Sequence, residues 1–139
     1  GYLVTERASG LRVLLLSSAN REPAALEALG QAVAPVDLVL AAASGRDPDY
    51  ARDLVRTLRP RLVVPHHFDD FTLPIDDPAA AAPRDEEDLA AFEQELRAAA
   101  AAEGIRIDVR RPKLFQLLTL PPSRGDGPFL SRKPPPGEW

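Results

Sequence analysis

Short apolar runs set off by turn-forming residues organise the first two thirds of this chain. Tyr2 to Thr5 and Leu11 to Leu16 flank the cluster Ala8-Ser9-Gly10, a spacing that predicts a hairpin whose second strand is central. Asn20 then stands as an N-cap before Leu26, Leu29 and Val33, which recur at helical spacing on one face, with Pro35 closing the helix. Val36 to Ala42 reads as an apolar run of strand length, the pattern of a strand covered on both faces. Asp47-Pro48 predicts the start of a second helix, along which Tyr50, Leu54 and Leu58 repeat every four residues until Pro60. Arg61 to Pro65 supplies the next strand, and the β-α-β-α-β order with short connections predicts parallel strands.

The pattern changes after residue 67. Phe68 to Pro83 is a long acidic, proline-containing loop of the kind that covers a site or a partner. Arg84 to Glu103 predicts a third helix, with Leu89, Phe92 and Leu96 on one face and Gly104 at its end. Ile105 to Val109 and Leu114 to Leu120 read as two further strands. Residues 1–120 are therefore expected to form one α/β unit, and 121–139 a Pro/Gly-rich tail without a core of its own. A disordered tail is the slightly favoured reading, the alternative being a tail that wraps along a missing half with Phe129 and Trp139 as apolar anchors; its Arg124-Gly125-Asp126 tripeptide reads as chance. No internal repeat is present.

Composition narrows the function. A formal charge of −4 offers no general basic field for a phosphate backbone, so nucleic acid is not an expected partner. The absence of cysteine excludes disulfides and thiolate chemistry. The longest apolar runs, such as Leu38 to Ala43, fall well short of the ~20 residues that cross a bilayer, so a cytoplasmic protein with no membrane partner is expected. There is also no methionine, so Gly1 is expected not to be an intact translational start.

In open α/β sheets, ligands gather beyond the carboxyl ends of the strands, where loops and helix amino termini converge. Three such ends are expected: Ser17, Ser18 and Asn20; Ser44, Gly45 and Arg46; and His66, His67, Asp69 and Asp70. The protein's two histidines thus fall at one of them. Imidazole is the commonest metal ligand, and a carboxylate can orient it through its second nitrogen. On these residues alone, however, the better reading of the pair is two polar loop residues partly packed under the acidic loop, while Asp69 and Asp70 read equally as acceptors orienting His67 and as an acidic loop or helix cap. Successive residues of an extended chain also point in different directions. Arg46 and Arg61 are candidates for holding an anionic substrate group, with solvated surface arginines the commoner role, and Tyr50 reads as packing.

The stretch from Leu58 to Phe71, Leu-Arg-Pro-Arg-Leu-Val-Val-Pro-His-His-Phe-Asp-Asp-Phe, resembles the late metal-ligand segment of metallo-β-lactamase-fold hydrolases, near the lactonase-like branch. The resemblance implies that His67 is a metal ligand, while His66 fills the variable position before it. It implies half of an αββα sandwich, a mixed sheet with helices on one face, in which zinc, manganese or iron, one or two ions, lies along the seam between two such halves. Metal-bound hydroxide would there attack an ester, lactone, amide or phosphoester of a small molecule. Two departures stand out. The family's His-x-His-x-Asp-His cluster has no counterpart here, and Ser18 stands nearest the position of a bridging aspartate. The partner implied is accordingly an amino-terminal half of the same fold or a second copy. The competing readings are a non-catalytic α/β binding or assembly module and a flavodoxin-like domain, the latter disfavoured because no glycine-rich phosphate loop follows a strand.

Overall fold

Side chain and backbone together make the first reversal. Glu6 accepts from the N–H groups of Ala8 (2.8 Å) and Ser9 (2.6 Å), while Gly10 N–H donates to the Glu6 carbonyl (2.8 Å). The Ser9 hydroxyl, followed by those two N–H groups, holds the Glu6 carboxyl below the usual carboxylate range. Gly10 sits at φ 71°, where a side chain would cost about 1–2 kcal/mol. β1 (Tyr2–Thr5) therefore returns antiparallel to β2 (Arg12–Leu16), with Tyr2 opposite Leu15 and Val4 opposite Val13. The structure, a computed structural model, describes residues 1–19, 22–69, 72–74, 76–77, 79–80, 82–112 and 117–118.

Strand and helix then alternate through α1 (Pro23–Val33), β3 (Leu38–Ala42), α2 (Tyr50–Leu58), β4 (Leu62–His66), α3 (Glu86–Ala102) and β5 (Asp108–Val109). The sheet order follows the chain, β1-β2-β3-β4-β5, and β2 to β5 are parallel. The described residues form an α/β fold with a mixed five-stranded sheet and three helices. Crossovers of one hand that always advance the same way return on the same side, and α2 accordingly packs against both α1 and α3. Leu14, Val39, Ala41 and Val63 meet Leu54, Leu58, Leu89, Phe92 and Leu96 in the core between sheet and helices. By strand alternation Val13, Leu15, Leu38 and Leu40 face the other way, and they are only half-buried. On that side no helix lies among the described residues, and Tyr2 (71 %) and Val4 (61 %) are largely exposed. No helix among the described residues is long and apolar enough to cross a membrane.

Several boundaries differ from expectation for local reasons. The first helix begins at Pro23 with Glu22 as N-cap, because proline suits the first helical position, whose N–H is not needed. Asn20 lies outside the described residues. The second helix starts at Tyr50 rather than at Asp47-Pro48: Asp49 is left-handed (φ 67°), so those residues form a turn, closed by Tyr50 N–H on the Asp47 carbonyl (3.2 Å). α3 begins at Glu86, capped by Asp85, whose carboxylate accepts from Asp88 N–H (2.8 Å). It ends in a Schellman turn: with Gly104 at φ 63°, Ile105 N–H reaches the Ala100 carbonyl (3.0 Å) and Gly104 N–H that of Ala101 (3.2 Å). The strand expected over 105–109 is reduced to Asp108–Val109. Of the strand expected over 114–120, only Leu117 and Leu118 are described, neither in a strand, and Leu117 is exposed. The tail 121–139, with Phe129 and Trp139, lies outside the described residues.

α1 crosses α2 at close range. A Cβ on Gly30 would stand 2.2 Å from Thr57 Cγ2 and 2.8 Å from the Thr57 carbonyl oxygen. Alanine is worth about 1 kcal/mol over glycine in a helix interior. Overpacking costs about 1–3 kcal/mol, and a backbone oxygen cannot rotate aside. Gly30→Ala is therefore expected to destabilise by about 1–2 kcal/mol, read as a lower urea midpoint at unchanged slope. An unchanged or higher midpoint would show that the two helices part freely.

Candidate functional site

β2, β3 and β4 end along one edge of the sheet. After β2, Ser17 and Ser18 are exposed and Ala19 is buried, its carbonyl accepting from Asp47 N–H (3.3 Å), which ties the first and second crossover loops together. β4 reaches His66, in register with Ala42, and Ala43 N–H donates to the His66 carbonyl (2.8 Å). Alternation places His66 with Leu62 and Val64 on the side away from the helices.

The His66 ring spans the strand between its own and β2. Its Nε2 lies 2.8 Å from the Leu16 carbonyl oxygen. A carbonyl can only accept, so Nε2 carries the proton in this contact. Burial pushes the His66 pKa below its ordinary value, against the opposing pull of the Leu16 carbonyl. The neutral ring is thus the dominant form at neutral pH.

His67 adopts a left-handed backbone at φ 56°, a conformation costing about 1–3 kcal/mol outside glycine. That turn ends the alternation. The two imidazoles, expected to diverge, instead meet edge to face with centroids 4.5 Å apart and planes at 78°. His67 is exposed, and His66 is half-buried behind it. Asp69 is half-buried, in a bridge with Pro83 that closes the acidic loop at its base, where Arg84 N–H also donates to the Phe68 carbonyl (2.8 Å). Asp70, its expected companion, lies outside the described residues.

The remaining candidates serve elsewhere. Arg46 turns toward α3 and is held there by Asp88 (2.5 Å) and Glu95 (3.0 Å), with its guanidinium carbon 5.3 Å from the centre of the Phe92 ring. Glu95 leads the rise in its pKa, so Arg46 stays charged and engaged. Arg61 donates to Asp37 (2.9 Å) at the opposite, amino-terminal end of the strands. Tyr50 is buried and stacked on Phe92 at 5.9 Å, its phenol pKa raised by burial. Sequence reasoning missed two features. The Leu16 carbonyl that anchors His66 left no sequence signal; Asp37 left one, as the single charge inside the run Val36 to Ala42.

Among the described residues no three His, Cys, Asp or Glu side chains converge into a set able to hold a metal. One surface hollow among the described residues is lined by Gly45, Arg46, Asp88 and Glu95 and another by Gly30, Gln31 and Thr57; neither of these includes a histidine. His67 stands exposed on the rim, with the half-buried His66 ring against it. Compared with protein-family models, curated proteins and solved structures, the chain matches none.

Proposed function

We propose that this chain is one half of a metal-dependent hydrolase of metallo-β-lactamase type, contributing His67 as one ligand of a shared metal site. The observation that carries the reading is the left-handed turn at His67, which sets an imidazole on the carboxyl-end rim of the sheet, beyond strands running in the direction the reading requires. A strained residue at such a place is a functional signal. The described residues do not suffice for the metal: one exposed imidazole lacks the further donors a stable site takes. The other ligands would come from an amino-terminal half of the fold or from a second copy. The β1–β3 part of the apolar side of the sheet, with Val13, Leu15, Leu38 and Leu40 half-buried and Tyr2 and Val4 exposed, supports such a second layer.

Zinc and manganese content, measured on the purified material with all its associated chains, tests the reading. Metal above background is expected, and His67→Asn is expected to lose most of it while the fold survives, since asparagine tolerates a positive φ. A wild-type protein without metal above background overturns the hydrolase reading. That result favours a second one, a non-catalytic assembly module, for which the exposed Ser18 in place of a carboxylate already speaks.

A further inference from the structure

We infer that His66 is a positioning residue that holds the His67 imidazole in place from an anchor on the end of β2. The inference deepens the proposed function, and its test is independent of bound metal.

Three observations meet at this ring. His66 belongs to β4, so its backbone is fixed by parallel pairing to β3, with Ala42 opposite it and its carbonyl bonded to Ala43 N–H at 2.8 Å. Its side chain is fixed at the far end by the Leu16 carbonyl at 2.8 Å. A ring held at both ends is a rigid wall. The turn at His67 (φ 56°) then lays the second imidazole across this wall, edge to face, with centroids 4.5 Å apart. An exposed histidine on a loop ordinarily samples several χ1 rotamers, and the contact removes those that would swing the ring away. An imidazole already aimed has less rotational freedom to lose on meeting an ion, as with outer residues that orient metal ligands. The Leu16 carbonyl also directly precedes Ser17 and Ser18. The same bond therefore ties the histidine pair to the loop that leaves β2.

Long-range proton–nitrogen spectra and side-chain three-bond couplings of the full chain, without metal, provide the test. The expected result is His66 protonated at Nε2 and His67 couplings of a single χ1 rotamer. In His66→Ala the His67 couplings should collapse to rotamer-averaged values, with the methyl shifts of Val39 and Val63 unchanged. His66→Gln covers the case in which alanine unfolds the edge. It retains an N–H donor for the Leu16 carbonyl but presents no ring, so the fold should persist while the His67 couplings average. Averaged couplings already present in the wild type overturn the inference. So do single-rotamer couplings that survive in a folded His66→Gln, or a His66 proton found on Nδ1. Absence of metal from the purified assembly bears only on the proposed function and leaves this inference standing.

Discussion

Asp37→Ala is expected to lower the unfolding free energy by about 3 kcal/mol, a large share of the stability of an ordinary domain. The carboxylate is buried at the entry to β3, where its two oxygens serve the two neighbouring strands. Oδ2 accepts from the backbone N–H of Arg12 at the start of β2 (2.9 Å), and Oδ1 accepts from the Arg61 guanidinium just before β4 (2.9 Å). Removing it takes away the acceptor of the Arg12 N–H and the ion partner of Arg61. The Arg61 side chain keeps 20 % exposure, so water relieves part of its charge and the loss sits at the low end of the range for a broken buried pair, about 3–5 kcal/mol. Asp37→Asn, which retains an acceptor for the Arg12 N–H, should cost roughly half as much. Urea titration with unchanged slope reads both, and a change under about 0.5 kcal/mol in the alanine variant would show the clamp to be idle.

Phe92→Ala should cost about 3–5 kcal/mol, as deletion of a fully buried aromatic ring does. The effect extends past the cavity. The ring carries Tyr50 on one contact, stacked at 5.9 Å, and the Arg46 guanidinium on another, 5.3 Å from its centre. Arg46 in turn ties the β3–α2 loop to α3 through Asp88 and Glu95. Phe92→Leu keeps most of the volume and should cost about 1–1.5 kcal/mol. A double-mutant cycle with Arg46→Met should give a coupling of about 0.5–1.5 kcal/mol. Additive losses would mean that the cation and the ring do not sense each other.

The order of elements was legible because it rests on periods that the sequence carries openly. Leu26, Leu29 and Val33, then Tyr50, Leu54 and Leu58, mark helix faces, and the apolar runs between them mark strands. The caps were legible only where one signal stood alone. Gly104 ends α3 as expected, whereas Asp47-Pro48 read as a helix start until the left-handed Asp49 reset it by two residues. At the candidate site, the rule for strand ends found both histidines but not their convergence. That convergence depends on one backbone angle at His67 and on a carbonyl fifty positions away in the chain. Arg46 looked available for an anion because its partners, Asp88 and Glu95, lie on a helix more than forty residues later. Long-range polar pairing leaves no period to read.

The left-handed residue after β4 fixes a count as well as an angle. Between Pro65, locked opposite Ala41, and Phe68, whose carbonyl closes the following loop, only two residues intervene. Inserting or deleting one there would break the edge-to-face pairing of the two imidazoles. The stretch between the two arms of the Asp69–Pro83 bridge can lengthen or shorten without that effect. Natural variation in length should therefore gather between the arms of the bridge, and this short spacer should stay constant.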